Sequence, residues 1–421
     1  MGSNENSVQL KVFIDKKKKK VMFAEAEEDF VETLFSFFTL PLGTIARLTR
    51  GKAYLQNMKV GSLTSLYESV VNLNDQHFSN KHCKDALVNP NNASVSVLRK
   101  LKINLHDTNP DSSTTVGGCH DDAVFVKKKA SFIITDDLNV VPVLLDANIE
   151  LLNSLGVEYI DLLDKKTICF GLDEFSNLLK WSLLTNNPLT NLVVSGSKLC
   201  PCSCSCLCCC SYSSCIANSI LSNSSPISKN CSRSRTMKLL VQKSKKKVLC
   251  AQVENFFVEL LFSFLTIPLG AVKRLTKDNS SPMGIDNLYA SISRLGDGKY
   301  LKSDDVKTML LCPKLAANYL RVTDFLPVYD VNTSSGQFLK EGETFVVSDD
   351  LEVTVSPSIS TILKFNTLGI PVGDIEVREV NIGEQEALLI LKASVTSTSA
   401  LTDCLYGLTK KPNATSFVME P

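Results

Sequence analysis

The densest chemistry in this chain is sulfur. Leu199 to Cys215 reads LCPCSCSCLCCCSYSSC, and nine of the 15 cysteines fall between Cys200 and Cys231. Alternating Cys-x-Cys at Cys200, Cys202, Cys204, Cys206 and Cys208, continued by Cys209 and Cys210, is a spacing at which thiolates can converge on zinc or another soft ion. The tract is also Ser-rich and low in complexity, and it lacks the interleaved lysines of metallothioneins. A linker is therefore the primary reading, with no cofactor expected, and a soft-metal cluster on these seven cysteines is the alternative.

Three further sets of residues could do chemistry. All four histidines, His77, His82, His106 and His120, lie in the first half. A zinc ion could draw on His82, Cys83, Cys119 and His120, but no C-x-x-C or H-x3-H spacing is present, and polar loop residues account for them. Two acid pairs, Asp136-Asp137 and Asp349-Asp350, recur in matching contexts, TDDL and SDDL. Paired carboxylates can hold a hard cation or exchange protons, yet neighbouring residues in a turn point apart. Asp is itself a turn former, because its side chain bonds the local backbone. Lysine runs at Lys16–Lys20 and Lys243–Lys247 suit nucleic acid. Without interleaved aromatics, and with Asp15, Glu25, Glu27 and Glu28 nearby, they read as solvated turns. No Gly-rich phosphate loop, Walker motif, G-x-S-x-G or H-E-x-x-H occurs. The second half has no histidine, so chemistry common to both halves uses no His base. A non-enzyme is expected, with a carboxylate site at the TDDL turn as the catalytic alternative.

The elements that must position these groups are written twice. VMFAEAEEDFVETLFSFFTLPLGTIARLTR, from Val21, aligns without gaps to VLCAQVENFFVELLFSFLTIPLGAVKRLTK, from Val248, with 17 of 30 positions identical. FIITDDLNV from Phe132 then matches FVVSDDLEV from Phe345, and LLKWSLLTNNPLTNLV from Leu178 parallels ILKASVTSTSALTDCL from Ile390. The separation falls from 227 at Phe30/Phe257 to 213 at Phe132/Phe345, so the second copy has lost loop residues. Each copy starts with a β-hairpin, Val8–Ile14 with Val21–Ala24 and Leu239–Val241 with Val248–Ala251. An apolar helix follows, with Phe30, Leu34 and Phe37 on one stripe, and Pro41 and Gly43 break it. Helices are expected at Ser62–Leu73, Gly284–Leu295, Asp146–Leu155 and Leu172–Leu184. Strands are expected at Leu101–Leu105, on both sides of the TDDL turn within Ala130–Val141, and at Tyr159–Phe170.

This predicts an α+β fold of two homologous tandem domains, each a β-hairpin followed by apolar helices and a small mixed sheet. The division runs 1–7 tail, 8–195 first repeat, 196–236 Cys/Ser-rich linker, 237–407 second repeat and 408–421 tail. The hairpin, the FAEA-to-LPLGTIARL segment, the TDDL turn and the LLKxS…LT ending together resemble DUF674, a plant protein family of unknown function. That resemblance implies an intracellular protein, frequently duplicated in tandem, with no assigned activity. It also implies Cys pairs between the first helices and the TDDL turn. Here that stretch holds only Cys119-His120 in the first copy, and neither Cys nor His between Val322 and Phe345 in the second.

Lys+Arg and Asp+Glu nearly cancel in the 421 residues, leaving a formal charge of +1. That is far from the basic excess of a nucleic-acid or anionic-lipid binder. The start, MGSNENSVQL, has no secretory pattern, so a cytoplasmic or nuclear location is expected. Phe256–Val272 is strongly apolar but carries Glu259, Pro268 and Gly270, so no membrane span is expected. The functional expectation is a soluble, non-catalytic binding or scaffold protein, with a protein partner as an open possibility.

Overall fold

The computed structural model describes residues 7–50, 58–106, 124–194, 234–276, 283–296, 298–316, 325–327, 337–355 and 359–410. The first copy contains strands β1 (Val8–Asp15) and β2 (Lys20–Ala26), then helices α1 (Glu28–Ser36), α2 (Leu42–Thr49), α3 (Leu63–Asn72), α4 (Lys81–Val88) and α5 (Val95–Leu98). It continues through β3 (Phe132–Thr135), β4 (Val140–Pro142), α6 (Leu145–Ser154), β5 (Asp164–Phe170), α7 (Leu172–Leu184) and α8 (Pro188–Val193). The second copy runs β6 (Arg235–Gln242), β7 (Lys247–Glu254), α9 (Asn255–Phe264), α10 (Leu269–Thr276), α11 (Gly284–Arg294) and α12 (Asp304–Leu311). Then come β8 (Thr344–Ser348), β9 (Val353–Val355), α13 (Ile359–Thr367), β10 (Ile375–Ile382), α14 (Glu384–Thr396) and α15 (Ala400–Leu405).

Two five-stranded sheets result, ordered β4-β3-β2-β1-β5 and β9-β8-β7-β6-β10, so the two copies share one topology. The fold is α+β, as the mixture of elements predicts. The sheet expected to be mixed is antiparallel at every described pairing, and the hairpin forms its centre. Each hairpin carries a register shift, at Phe13/Ile14 and at Leu240/Val241, just before its lysine tip. One face of the first sheet packs Phe13, Met22, Phe23 and Ile133 against Leu151, Leu152 and Leu155 of α6 and its C-terminal end. The opposite face meets α1 and α7, where the Phe30 ring meets Phe170 edge to face at 4.9 Å and lies tilted against Phe175 at 5.0 Å. Phe30, Leu34, Phe257 and Leu261 are all fully buried, so equivalent apolar positions fill the interiors of both copies.

The compact units are not the two contiguous repeats. The first unit comprises residues 1–57, 91–201 and 267–316, and the second comprises 58–90, 202–266 and 317–421. Within the first unit, α11 comes from the second copy. Its Ser291 Oγ accepts the backbone N–H of Val140 (3.0 Å), at the start of edge strand β4. Lys127 N–H and Lys302 N–H bond the carbonyls of Tyr300 and Phe125, both at 2.9 Å, closing a bridge between Val126 and Leu301. Within the second unit, α3 comes from the first copy. Ser69 Oγ accepts the N–H of Val353 (2.8 Å) on β9, and Ser79 and Lys340 N–H bond Phe338 and His77 carbonyls around Phe78 and Leu339. In each sheet one edge strand, β4 or β9, thus gives a backbone N–H to a serine on a helix encoded in the opposite copy.

Several local expectations change. Leu101–Leu105 is irregular, although Leu101, Ile103 and Leu105 are buried and alternate with polar neighbours. That alternation marks one-sided burial, which a loop pressed on a core shares with a strand. The segment expected as a strand over Tyr159–Phe170 becomes β5 only from Asp164, after a 3-10 turn at Ile160–Leu162. Helices α4 and α12 were not expected. Each starts at a polar cap, Asn80 accepting from Cys83 N–H and Ser303 from Val306 N–H. The apolar run at Phe256–Val272 divides into α9 and α10, and among the described residues no helix is long and apolar enough to cross a membrane.

Candidate ligand-binding site

The acid pairs occupy identical turns, and their two members have different tasks. Leu138 and Leu351 take a left-handed conformation (φ 62° in each) with their side chains fully buried, which pins each turn to its core. The first acid of each pair points inward. Asp136 Oδ1 accepts the backbone N–H of Thr190 (2.7 Å) and Oδ2 accepts its hydroxyl (2.8 Å), while Thr190 Oγ1 receives the N–H of Val21 (2.9 Å). Asp349 does the same with Thr402 N–H (2.7 Å), and Thr402 Oγ1 receives Val248 N–H (2.9 Å). Lys20 and Lys247, the last residues of the basic tips, approach these carboxylates at 3.9 and 3.5 Å. Burial pushes both carboxyls above their ordinary value, outweighing the threonine bonds and the lysines. These acids are structural bolts between turn, hairpin and C-terminal helix.

The second acid faces outward, and here the copies diverge. In the first unit Asp137 Oδ2 accepts the side-chain amides of Asn139 (2.9 Å) and Asn287 (3.2 Å). In the second unit Asp350 Oδ1 accepts the Ser348 hydroxyl (2.6 Å), and Oδ2 accepts the Ser65 hydroxyl (2.7 Å) and the Lys59 ammonium (3.1 Å). Lys59 Nζ also donates to Ser65 Oγ (2.9 Å). Burial alone would raise the Asp350 carboxyl, but Ser348, Ser65 and Lys59 together hold it below its ordinary value. A carboxylate held in that way is a poor base.

This cluster opens into a cavity of about 390 Å³ lined by Lys59, Ser65, Glu68, Asn72, His77, Asp350 and Glu352, among others. His77 is turned to Glu343, with Nδ1 2.9 Å from Oε2. The volume lies in the range of small-molecule sites. Its walls come from α3 and the turn that follows it, on one side, and from the SDDL turn and β9 on the other. The exchanged helix therefore helps build it.

The other predicted groups are not brought to this site. Cys200, Cys202, Cys204, Cys206, Cys208, Cys209 and Cys210, like Cys119 and His120, lie outside the described residues. His82 is exposed, and Cys83 is half-buried with Sγ 3.5 Å from the Gln337 carbonyl and a thiol pushed up by burial. Among the described residues no three His, Cys, Asp or Glu side chains group as metal ligands. The lysine tips are exposed turns, the first folded around Asp15, whose Oδ1 accepts the N–H of Lys17 and Lys18. The sequence reading missed Lys59, Ser65 and Glu352, and also two buried glutamates. Glu32 Oε1 accepts the N–H groups of Val124, Phe125 (2.7 Å) and Val126 (3.2 Å), and Glu259 Oε1 accepts that of Leu339 (2.6 Å). Their signal was available: Glu32 and Glu259 are an identical pair inside an otherwise apolar stretch.

A family model described as a protein of unknown function, DUF674, matches residues 4–114, 109–330 and 328–420. The chain belongs to the DUF674 family. The three matched segments agree with repeated copies of the DUF674 unit along the chain. No curated protein and no solved structure matches this DUF674 chain.

Proposed function

We propose that this DUF674 chain is a non-catalytic binding protein whose second unit holds a small polar ligand against Asp350, Ser65 and Glu352. The observation that carries this reading is the divergence of two otherwise equivalent turns. Asp136 and Asp349 each accept the backbone N–H of the matching threonine, Thr190 or Thr402, whereas the outward acid meets side-chain amides in the first unit and borders a 390 Å³ cavity in the second. A shared fold requirement explains the inward acids but leaves the difference outside them unexplained.

The test is ligand-observed NMR on the full chain with cationic, polyhydroxylated and anionic small molecules, run beside Asn72→Arg, which places a long side chain at the cavity wall. At least one class should bind the wild type and fail to bind the variant. Absence of binding by every class, or binding that the variant leaves unchanged, overturns the reading. Turnover of any bound compound that disappears in Asp350→Asn would make the site catalytic instead.

A further inference from the structure

The first unit shows what the second unit's cavity is shaped to accept. Leu66-Tyr67-Glu68-Ser69 of α3 corresponds to Leu288-Tyr289-Ala290-Ser291 of α11, because Ser69 and Ser291 accept the N–H of the equivalent residues Val353 and Val140. The two tyrosines also agree, Tyr67 donating to the Val88 carbonyl (3.2 Å) and Tyr289 to that of Leu311 (2.8 Å). In this register Asn72 stands where the first unit has Arg294, and Glu352 stands where it has Asn139. Arg294 Nη2 donates to Asn139 Oδ1 (2.6 Å) and to Ser291 Oγ (3.1 Å). The guanidinium of the first unit therefore rests on the counterparts of two residues, Glu352 and Ser69, that line the second unit's cavity.

The substitutions are complementary in chemistry. Ser69 Oγ makes the same two backbone bonds as Ser291, donating to the carbonyl four residues before it (2.8 Å in both) and accepting a strand N–H. A hydroxyl has a second lone pair, and in Ser291 it takes Arg294. Shortening the arginine to Asn72 withdraws the cation, while replacing Asn139 by Glu352 turns a neutral acceptor into a charged one, which binds N–H donors more strongly. The cavity wall then holds three carboxylates, Glu68, Asp350 and Glu352, against the single ammonium of Lys59, with His77 facing Glu343.

We propose that the second unit's cavity receives a guanidinium or alkylammonium group of a small molecule, seated on Glu352 and Ser69 where the first unit seats its own Arg294. This deepens the binding reading above and depends on it. Glu352 supplies the charged acceptor, Ser69 the hydroxyl acceptor, and Asp350, already engaged by Lys59 and Ser65, the rigid floor.

Titration calorimetry of the full chain with agmatine and putrescine, set against erythritol, glucose and citrate at one ionic strength, tests the assignment. The two cations should bind, Glu352→Gln should weaken them at least tenfold, and Asn72→Arg should abolish binding, with melting temperatures of both variants close to that of the wild type. If a polyol or citrate binds in place of the cations and Asn72→Arg removes it, the cavity is a binding site but the cation assignment is overturned. If none of the five binds, both readings fall. Cation binding that both variants leave intact would also overturn the proposal, since the cations would then sit elsewhere.

Discussion

Replacing Asp136 with Ala tests whether the inward acid of the TDDL turn is a bolt. The change removes the acceptor of Thr190 N–H and Thr190 Oγ1, at 2.7 and 2.8 Å, and leaves a half-buried amide without that partner. Hydrogen bonds to a charged acceptor contribute about 1.5–3 kcal/mol each. Burying the carboxylate offsets part of that gain, as its raised pKa records, so the expected net loss is about 2–4 kcal/mol. Trp181, the single tryptophan, lies on α7 within the first unit and is buried, so its fluorescence follows the unit that carries the mutation. With a urea slope of about 2 kcal/mol per molar, the midpoint should fall by about 1–2 M. The folded chain holds the Asp136 proton more tightly than the unfolded chain does. Its contribution is therefore complete below the ordinary carboxylate value and is lost as pH rises through the raised one, so the deficit of the variant should widen in acid. Thr190→Val removes the hydroxyl bond to Asp136 and also the acceptor of Val21 N–H, so added to Asp136→Ala it should cost less than the sum of the two single losses, by the one bond they share. A midpoint shift below about 0.3 M, or additive losses in the double variant, would refute the reasoning.

Other outcomes follow from the same structure. Ser291→Ala leaves the Val140 N–H without its acceptor and should cost about 1–3 kcal/mol, with faster hydrogen exchange at that amide; unchanged protection would contradict the edge-capping role of α11. Lys180 is buried, donates to the Thr49 carbonyl (2.9 Å), and has its pKa pushed down to about 8 by burial. The folded state therefore binds this proton less tightly than the unfolded state, so stability should rise between about pH 8 and 10.5 relative to Lys180→Met; a parallel pair of stability curves would refute this. Gly61 has φ +50° and a Cβ there would stand 2.7 Å from the Val395 carbonyl carbon, so Gly61→Ala should lower the melting temperature of the second unit by several degrees, as calorimetry would show. Residues 1–195 expressed alone lack α11 and α12 and should give no cooperative monomeric melt, whereas a sharp monomeric transition would show that the exchanged helices are dispensable.

The hairpins, the apolar helices and the TDDL turns were legible because each writes a local pattern: alternation, a 3.6-residue stripe, and acids at a chain reversal. The duplication was legible because those patterns recur with identical residues such as Phe30/Phe257. What the sequence hid was which sheet a helix joins. The apolar stripe of α3 says that one face is buried, but it fits either copy's sheet equally well, and only Ser69 meeting Val353 reveals the choice. The cavity was hidden for the same reason. Asp350 was visible as half of an acid pair, yet Ser65 and Lys59 lie nearly three hundred positions earlier and look like ordinary surface residues. Asn72, Glu352 and Arg294 gain meaning only once the two units are compared position by position.

The reciprocal exchange of α3 and α11 also sets how this gene can fail. A premature stop between the halves would not yield a smaller working product, because the strands retained would be missing the clasp written downstream. Damage to either half is felt at the opposite carboxylate turn. Even though Arg294 fills the position that Asn72 leaves short, the first copy still supplies α3 to the second unit.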